Sequence, residues 1–275
     1  MPHLKRMGWN YHDQIEVTSM QNTADGNMPE TTWYVYDAGG QRVRKVTERE
    51  NVAEHRAAAE PTLKCERVYL GNSFEIFRKY NGTGDSVVLE RETLHIMDDK
   101  QRIALVETTH TTSAPNNSPD PQPTTIQHIR YQHGNHLGSV CLELDERAQI
   151  ISYEEYTPFG RTSYQMVSND IEIPKKRYRF TGKERDRETG FYYHGARYYA
   201  PWLGRWISPD PGGMVDGANL YFYVNNSPVN MSDPTGLWGW REAAVVAAVV
   251  VVGTVVTVAT AGAAAPIAAA VLGSG

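Results

Sequence analysis

A strand–turn–strand unit recurs along the first half of this chain, and no other feature restricts its fold as much. Trp33-Tyr-Val-Tyr is β-prone, Asp37-Ala-Gly-Gly-Gln is a tight reversal, and Arg42-Val-Arg-Lys-Val alternates polar with apolar residues. Val68-Tyr-Leu-Gly-Asn-Ser-Phe-Glu-Ile-Phe repeats the plan around Gly71-Asn72, and Leu94 to Leu105 repeats it around Asp98-Asp99. A fourth copy begins at Cys141, where Asp145 and Gln149 stand at the spacing of Asp37 and Gln41. Each hairpin has an apolar face that its neighbours must cover. The chain is therefore expected to be all-β, with hairpins added one after another.

Several function classes drop out on composition. The net charge is −5, which gives no global electrostatic case for nucleic acid. Cys65 and Cys141 lie far apart without CxxC spacing, so neither a disulfide-dense scaffold nor a cysteine zinc site is expected. No metal and no cofactor is expected either. The start of the chain has no apolar core of a Sec signal peptide, so export is expected by another route or from a longer natural chain.

The grammar changes three times. Thr111 to Thr125 is a Pro/Ser/Thr/Asn-rich run with no apolar residue larger than Ala, expected as a disordered insertion. Arg177 to Leu237 is rich in Tyr, Gly and Arg and carries two Asp-Pro pairs, Asp210-Pro211 and Asp233-Pro234. Ala243 to Leu272 carries no charge and is long enough to span a bilayer, although Ala, Val and Gly insert weakly and Pro266 interrupts it. The expected division is 1–110 hairpin repeats, 111–125 insertion, 126–176 further repeats, 177–237 core and 238–275 apolar tail.

Carboxylates can hydrolyse a peptide bond when one is protonated and polarises the carbonyl while an ionised partner activates water. Asp210 and Asp233 are the candidates, each biased to extended backbone by the following proline, Pro234 in the second case. Gly236 lets the backbone approach closely. Arg205 is the candidate cation to hold a carboxylate ionised or to stabilise an oxyanion. The alternative is structural: Asp-Pro-x-Gly is also an ordinary turn. The aromatic run through Tyr192, Tyr193, Tyr198, Tyr199 and Trp206 is read as cross-strand packing rather than a stacking surface for a ligand.

The core resembles a known family. Gly182-Lys-Glu-Arg-Asp, Gly190-Phe-Tyr-Tyr-His-Gly-Ala-Arg-Tyr-Tyr, Pro201-Trp-Leu-Gly-Arg-Trp, Asp210-Pro211 and Asp233-Pro-Thr-Gly-Leu237 look like the Rhs/YD-repeat-associated core domain of Rhs polymorphic toxins and of the C component of insecticidal Tc toxin complexes. Tyr34 to Arg42 looks like a YD repeat. The resemblance implies a YD-repeat shell, a partial β-cocoon, closed by the core and followed by an apolar, helical tail. It implies single-turnover aspartic-type self-cleavage by Asp210 and Asp233 with Arg205 in support, cutting between Leu237 and Trp238, with no turnover of external substrate. It implies the partners too: the remainder of the shell, supplied by missing N-terminal repeats or a B-type toxin component, and the chain's own 238–275 as passenger. Residues 243–272 are expected in contact with a membrane or held as passenger, and the protein secreted or delivered to a target cell. The competing reading is a membrane-anchored surface protein whose repeats bind carbohydrate or protein without protease activity.

Overall fold

The computed structural model describes residues 4–20, 30–49, 62–98, 101–112, 123–168, 174–214 and 217–237. These residues form an all-β molecule. Its first sheet contains β1 (Leu4–Trp9), β2 (Ile15–Met20), β3 (Glu30–Tyr36), β4 (Arg42–Arg49), β5 (Thr62–Leu70) and β6 (Phe74–Tyr80). It continues through β7 (Val87–Asp98), β8 (Gln101–Thr111), β9 (Thr124–Gly134), β10 (Val140–Leu144), β11 (Ile150–Tyr156) and β12 (Thr162–Val167). Each strand pairs with the next in sequence order, every pair antiparallel. The sheet is thus a twelve-stranded meander, a wall of successive hairpins.

One loop chemistry makes four of the reversals among the described residues. Asp37 Oδ1 accepts the backbone N–H groups of Gly39 and Gln41, each at 2.9 Å, and the Asp37 N–H donates to the Gln41 carbonyl. The loop needs one left-handed residue, and Gly40 supplies it at φ 76°. Asp145 builds the same loop with Arg147 and Gln149, as their matching spacing predicts. Asn10 and Asn135 build it as well, with a short polar side chain accepting from the residues two and four ahead.

β8 and β9 stay paired out to Thr111 and Thr124, so the Pro/Ser/Thr/Asn-rich insertion joins two neighbouring strands. Its residues 113–122 lie outside the described residues, as does the tail 238–275 for which a helix and a membrane contact were considered. Among the described residues, no helix is long and apolar enough to cross a membrane.

The second sheet is small: β13 (Glu184–Arg185), β14 (Tyr192–Tyr193), β15 (Tyr198–Ala200) and β16 (Arg205–Trp206), again in sequence order. Its aromatics face each other across strands, Tyr192 opposite Tyr199 and Tyr199 opposite Trp206. Tyr192, Tyr199 and Trp206 pack with Phe180, Tyr223 and Val224 in one cluster. Phe191, Tyr198 and Ala200 pack in another with Leu4, Ile15 and Tyr34 of the wall. The core is therefore seated on the wall's inner face.

That seating is also ionic. The buried Arg42 guanidinium donates to Asp186 at 2.9 Å, to Glu184 at 2.5 Å and to the Tyr198 hydroxyl at 2.9 Å. Arg177 joins Glu75 of β6 and Glu184, while Lys176 and Arg179 meet Glu154 of β11 at 3.0 and 2.8 Å. Buried charges of this kind survive only when paired, so the core supplies counter-charges that the wall requires.

Candidate functional site

The two Asp-Pro segments converge on a turn between β14 and β15. His194, Gly195, Ala196 and Arg197 form this turn, and Arg197 stands two residues before Tyr199, whose ring faces inward. The Arg197 side chain, just before β15, lies on the side of the sheet that holds Trp206. It is 3% exposed and lies over the Trp206 ring, 4.3 Å from the centroid.

From there one guanidinium reaches both carboxylates. Arg197 Nη1 lies 2.8 Å from Asp210 Oδ2, and Nη2 lies 3.5 Å from Asp233 Oδ2. Its third nitrogen, Nε, donates to the Gly236 carbonyl at 2.5 Å. The fork shape of arginine allows this division of labour, which an ammonium could not reproduce.

The two carboxylates sit in unlike surroundings. Asp233 is 3% exposed, and its Oδ1 accepts the N–H groups of Gly236 at 2.8 Å and Thr235 at 3.1 Å and the Thr235 hydroxyl at 3.3 Å. Burial pushes its carboxyl above the usual range, against the opposing pull of the Gly236 amide and Arg197. Asp210 is half-buried, and its Oδ1 accepts the Gly212 N–H at 2.9 Å, the bond of a turn after Asp-Pro. Two carboxylates in unequal environments on one cation are the arrangement that acid–base work on a peptide bond requires.

Gly236 is needed where it stands. Its φ is 72°, and a Cβ there would come within 2.9 Å of the Arg197 nitrogen and 3.2 Å of His194 Cβ. Pro234 is exposed beside it, and Leu237 is the last of the described residues. The expected Leu237–Trp238 bond thus begins one residue past the carbonyl that Arg197 holds.

Arg205 takes no part in this grouping. Its neighbour Trp206 points inward, 2% exposed, and alternation along β16 sends Arg205 outward to solvent. Among the described residues it forms no ion pair with either aspartate. The guanidinium that lies beside both aspartates is that of Arg197 and not that of Arg205, the cation expected from the sequence.

His194, expected from the sequence as a packed or surface aromatic-like residue, is a second residue to which that reading gave no part in the site. It is 1% exposed, edge-on to Trp206 at 5.0 Å, and its Nδ1 lies 2.7 Å from the Asp233 carbonyl oxygen. A carbonyl only accepts, so Nδ1 carries the proton. Burial, with Lys183 and Arg197 nearby, pushes its pKa down to about 3 and keeps the ring neutral.

Comparison with known proteins sets this geometry in context. No family model matches the chain. It is 34% identical to toxin subunit YenC1 of Yersinia entomophaga over 237 residues, 84% of this chain and 22% of that protein. Toxin subunit YenC2 of the same organism is 49% identical over 109 residues, 40% of this chain and 11% of that protein. A crystal structure of TcdB2-TccC3 matches with TM-score 0.67 at 33% identity, covering 86% of this chain and 10% of the longer one. The chain therefore spans about a fifth or less of the length of these three relatives.

Proposed function

This chain belongs to the Rhs and Tc-toxin C-component family, and on that premise we propose that it is the closing part of a toxin shell that cuts itself after Leu237. The observation that carries the proposal is the Arg197 fork, which binds Asp210, Asp233 and the Gly236 carbonyl together. In the reaction, water adds to the Leu237 carbonyl carbon and gives up a proton to Asp210, the more exposed carboxylate. Asp233, whose burial favours the protonated form, donates a hydrogen bond to the carbonyl oxygen as charge develops on it. The bond from Leu237 carbon to Trp238 nitrogen then breaks, the nitrogen takes the proton that Asp210 received from water, and residues 238–275 leave as a separate chain. Arg197 keeps the negative charge of the pair compensated throughout.

The wider reading follows from the same premise. The wall has a strand at each end, β1 and β12, and the missing remainder of the shell is further repeats or a B-type component of the complex. Residues 238–275 are the passenger, and delivery to a target cell is the purpose of the cut. The chain acts once, on itself.

Intact mass of freshly expressed protein beside Asp233→Asn and Asp210→Asn tests this. Wild type is expected to yield a species ending at Leu237, and both variants to remain whole. Identical masses in all three samples would sink self-cleavage and leave the Asp-Pro segments as turns.

A further inference from the structure

The segment Asp233–Gly236 is held along its backbone, carbonyl by carbonyl. His194 Nδ1 donates to the Asp233 oxygen at 2.7 Å, and Lys183 Nζ donates to the Pro234 oxygen at 2.6 Å. The Ala196 N–H donates to the Thr235 oxygen at 2.9 Å, and Arg197 Nε to the Gly236 oxygen. Four consecutive carbonyls therefore meet four donors from two segments of the core. Three donors come from the His194–Arg197 turn, and the fourth comes from Lys183, the residue just before β13. A turn needs no such set, since an Asx side chain already closes this one through the Thr235 and Gly236 amides.

We propose that Lys183 and His194 are positioning residues for the cut: with the Ala196 amide and Arg197 they clamp the four carbonyls before Leu237 and so fix the Leu237 carbonyl against the aspartate pair. This inference rests on the self-cleavage reading. Neither residue touches the reacting atoms. Each acts by removing the freedom of the segment that carries them, and a displacement of about 1 Å at such a segment is enough to slow chemistry about a hundredfold. Because the clamp grips main-chain oxygens, it holds the segment without reading the side chains of Pro234 and Thr235.

Lys183 is the sharper handle, being half-buried and outside the aromatic cluster. The groups facing it are Arg102 of β8, Asp233 and His194. Burial and Arg102 push its ammonium down to about 8, with Asp233 opposing. Its charge is thus lost within an accessible pH range, whereas an arginine in its place stays charged.

The experiment follows the appearance of the fragment ending at Leu237 in the full chain, by intact mass against time, for wild type, Lys183→Met, Lys183→Arg, His194→Asn and His194→Leu. Lys183→Met is expected to cut about tenfold or more slowly with an unchanged thermal melt. Lys183→Arg restores the donor and most of the rate, and His194→Asn, which keeps a donor near the Nδ1 position, cuts faster than His194→Leu. The ratio of wild-type to Lys183→Arg rates falls as pH rises through about 8. Equal rates for wild type and Lys183→Met, or a ratio that stays flat with pH, would overturn the clamp while leaving self-cleavage standing. A wild type that never cuts overturns self-cleavage and the clamp's role in it, a different result from the first.

Discussion

The wall and the core bury opposite chemistries. The wall's inner face carries Arg42, Glu66, Arg67, Glu75, Glu107, Arg130, Glu143 and Glu154, each at most 7% exposed. The core's centre is Phe180, Tyr192, Tyr199, Trp206 and Tyr223, with ring centroids of Tyr199 and Tyr223 only 4.3 Å apart. Some wall charges pair within the wall, as Arg130 does with Glu107 and Glu143. Others, Arg42 and Glu154 among them, find their partners in the core. The difference teaches that ion pairs play two roles here. Those between wall and core hold the parts together, and the cluster around Arg197 joins core residues to one another at the site proposed for the cut.

Arg42→Met is the strongest way to break that comparison. It leaves Glu184 and Asp186 buried without their main counter-charge, and breaking a buried pair from one side costs about 3–5 kcal/mol. The urea midpoint is expected to fall accordingly. A midpoint within error of wild type would mean that the wall does not depend on the core's charges. Replacing Arg42, Glu184 and Asp186 together by apolar residues of similar volume should recover much of the loss, since the penalty lies in the orphaned charges.

Acid separates the two regions by their order of failure. His194 in the core is held neutral with its pKa near 3, while an unfolded histidine titrates near 6.5. A depressed value gives stability that is complete above about 6.5 and lost as pH falls toward 3, amounting to about 2 kcal/mol by pH 5. In the wall, Glu75 and Glu154 are held below the usual carboxylate range, both against the cost of burial, by Arg177 and Arg67 in one case and by Arg179 and Lys176 in the other. Their contribution is complete above about 4.3 and lost below it. Asp186 and Asp233 are pushed up by burial and act in the opposite sense, relieving strain as they protonate. Urea midpoints measured from pH 7 to pH 3 should therefore decline in two stages, the first smaller in His194→Asn, where only the wall's His95, also pushed down by burial, still contributes to it. A single stage near pH 4, the same in both proteins, would remove His194 from the account.

Much of this architecture is legible in the sequence because its determinants are local. A β-prone run, an Asp at the start of a reversal and a Gly or small residue three positions later specify each hairpin without reference to distant residues. The Asp210 and Asp233 pair is legible for the same reason, as each stands before a proline in a tight turn. The choice of cation was not local. Arg205 and Arg197 both lie near Asp210 along the chain, and what separates them is burial: Arg205 faces solvent, whereas Arg197 is packed over the Trp206 ring. His194 and Lys183 were hidden more deeply, because their partners are backbone oxygens some forty to fifty residues ahead. The ionic face of the wall is the opposite of the apolar face that recurring hairpins suggest. It becomes intelligible only with the core in place, where Arg177, Lys176 and Arg179 supply the missing charges.

The smallest expected effect concerns the loops that set the wall's register. Asp37 and Asp145 each hold two backbone amides that otherwise face the turn unpaired, so removing either carboxylate should cost about 1 kcal/mol. Both loops also need a left-handed residue three places on, and here they differ. Asp37 precedes Gly40 at φ 76°, whereas Asp145 precedes Ala148 at φ 59°, a conformation that alanine adopts only at a cost. The Asp145 loop thus carries backbone strain that its side-chain bonds offset. Asp145→Ala is therefore expected to lower the urea midpoint more than Asp37→Ala, and Ala148→Gly to raise it by about 1 kcal/mol. Equal losses in the two Asp variants, with no gain from Ala148→Gly, would show that the pairing of β10 with β11 and not the loop fixes that hairpin.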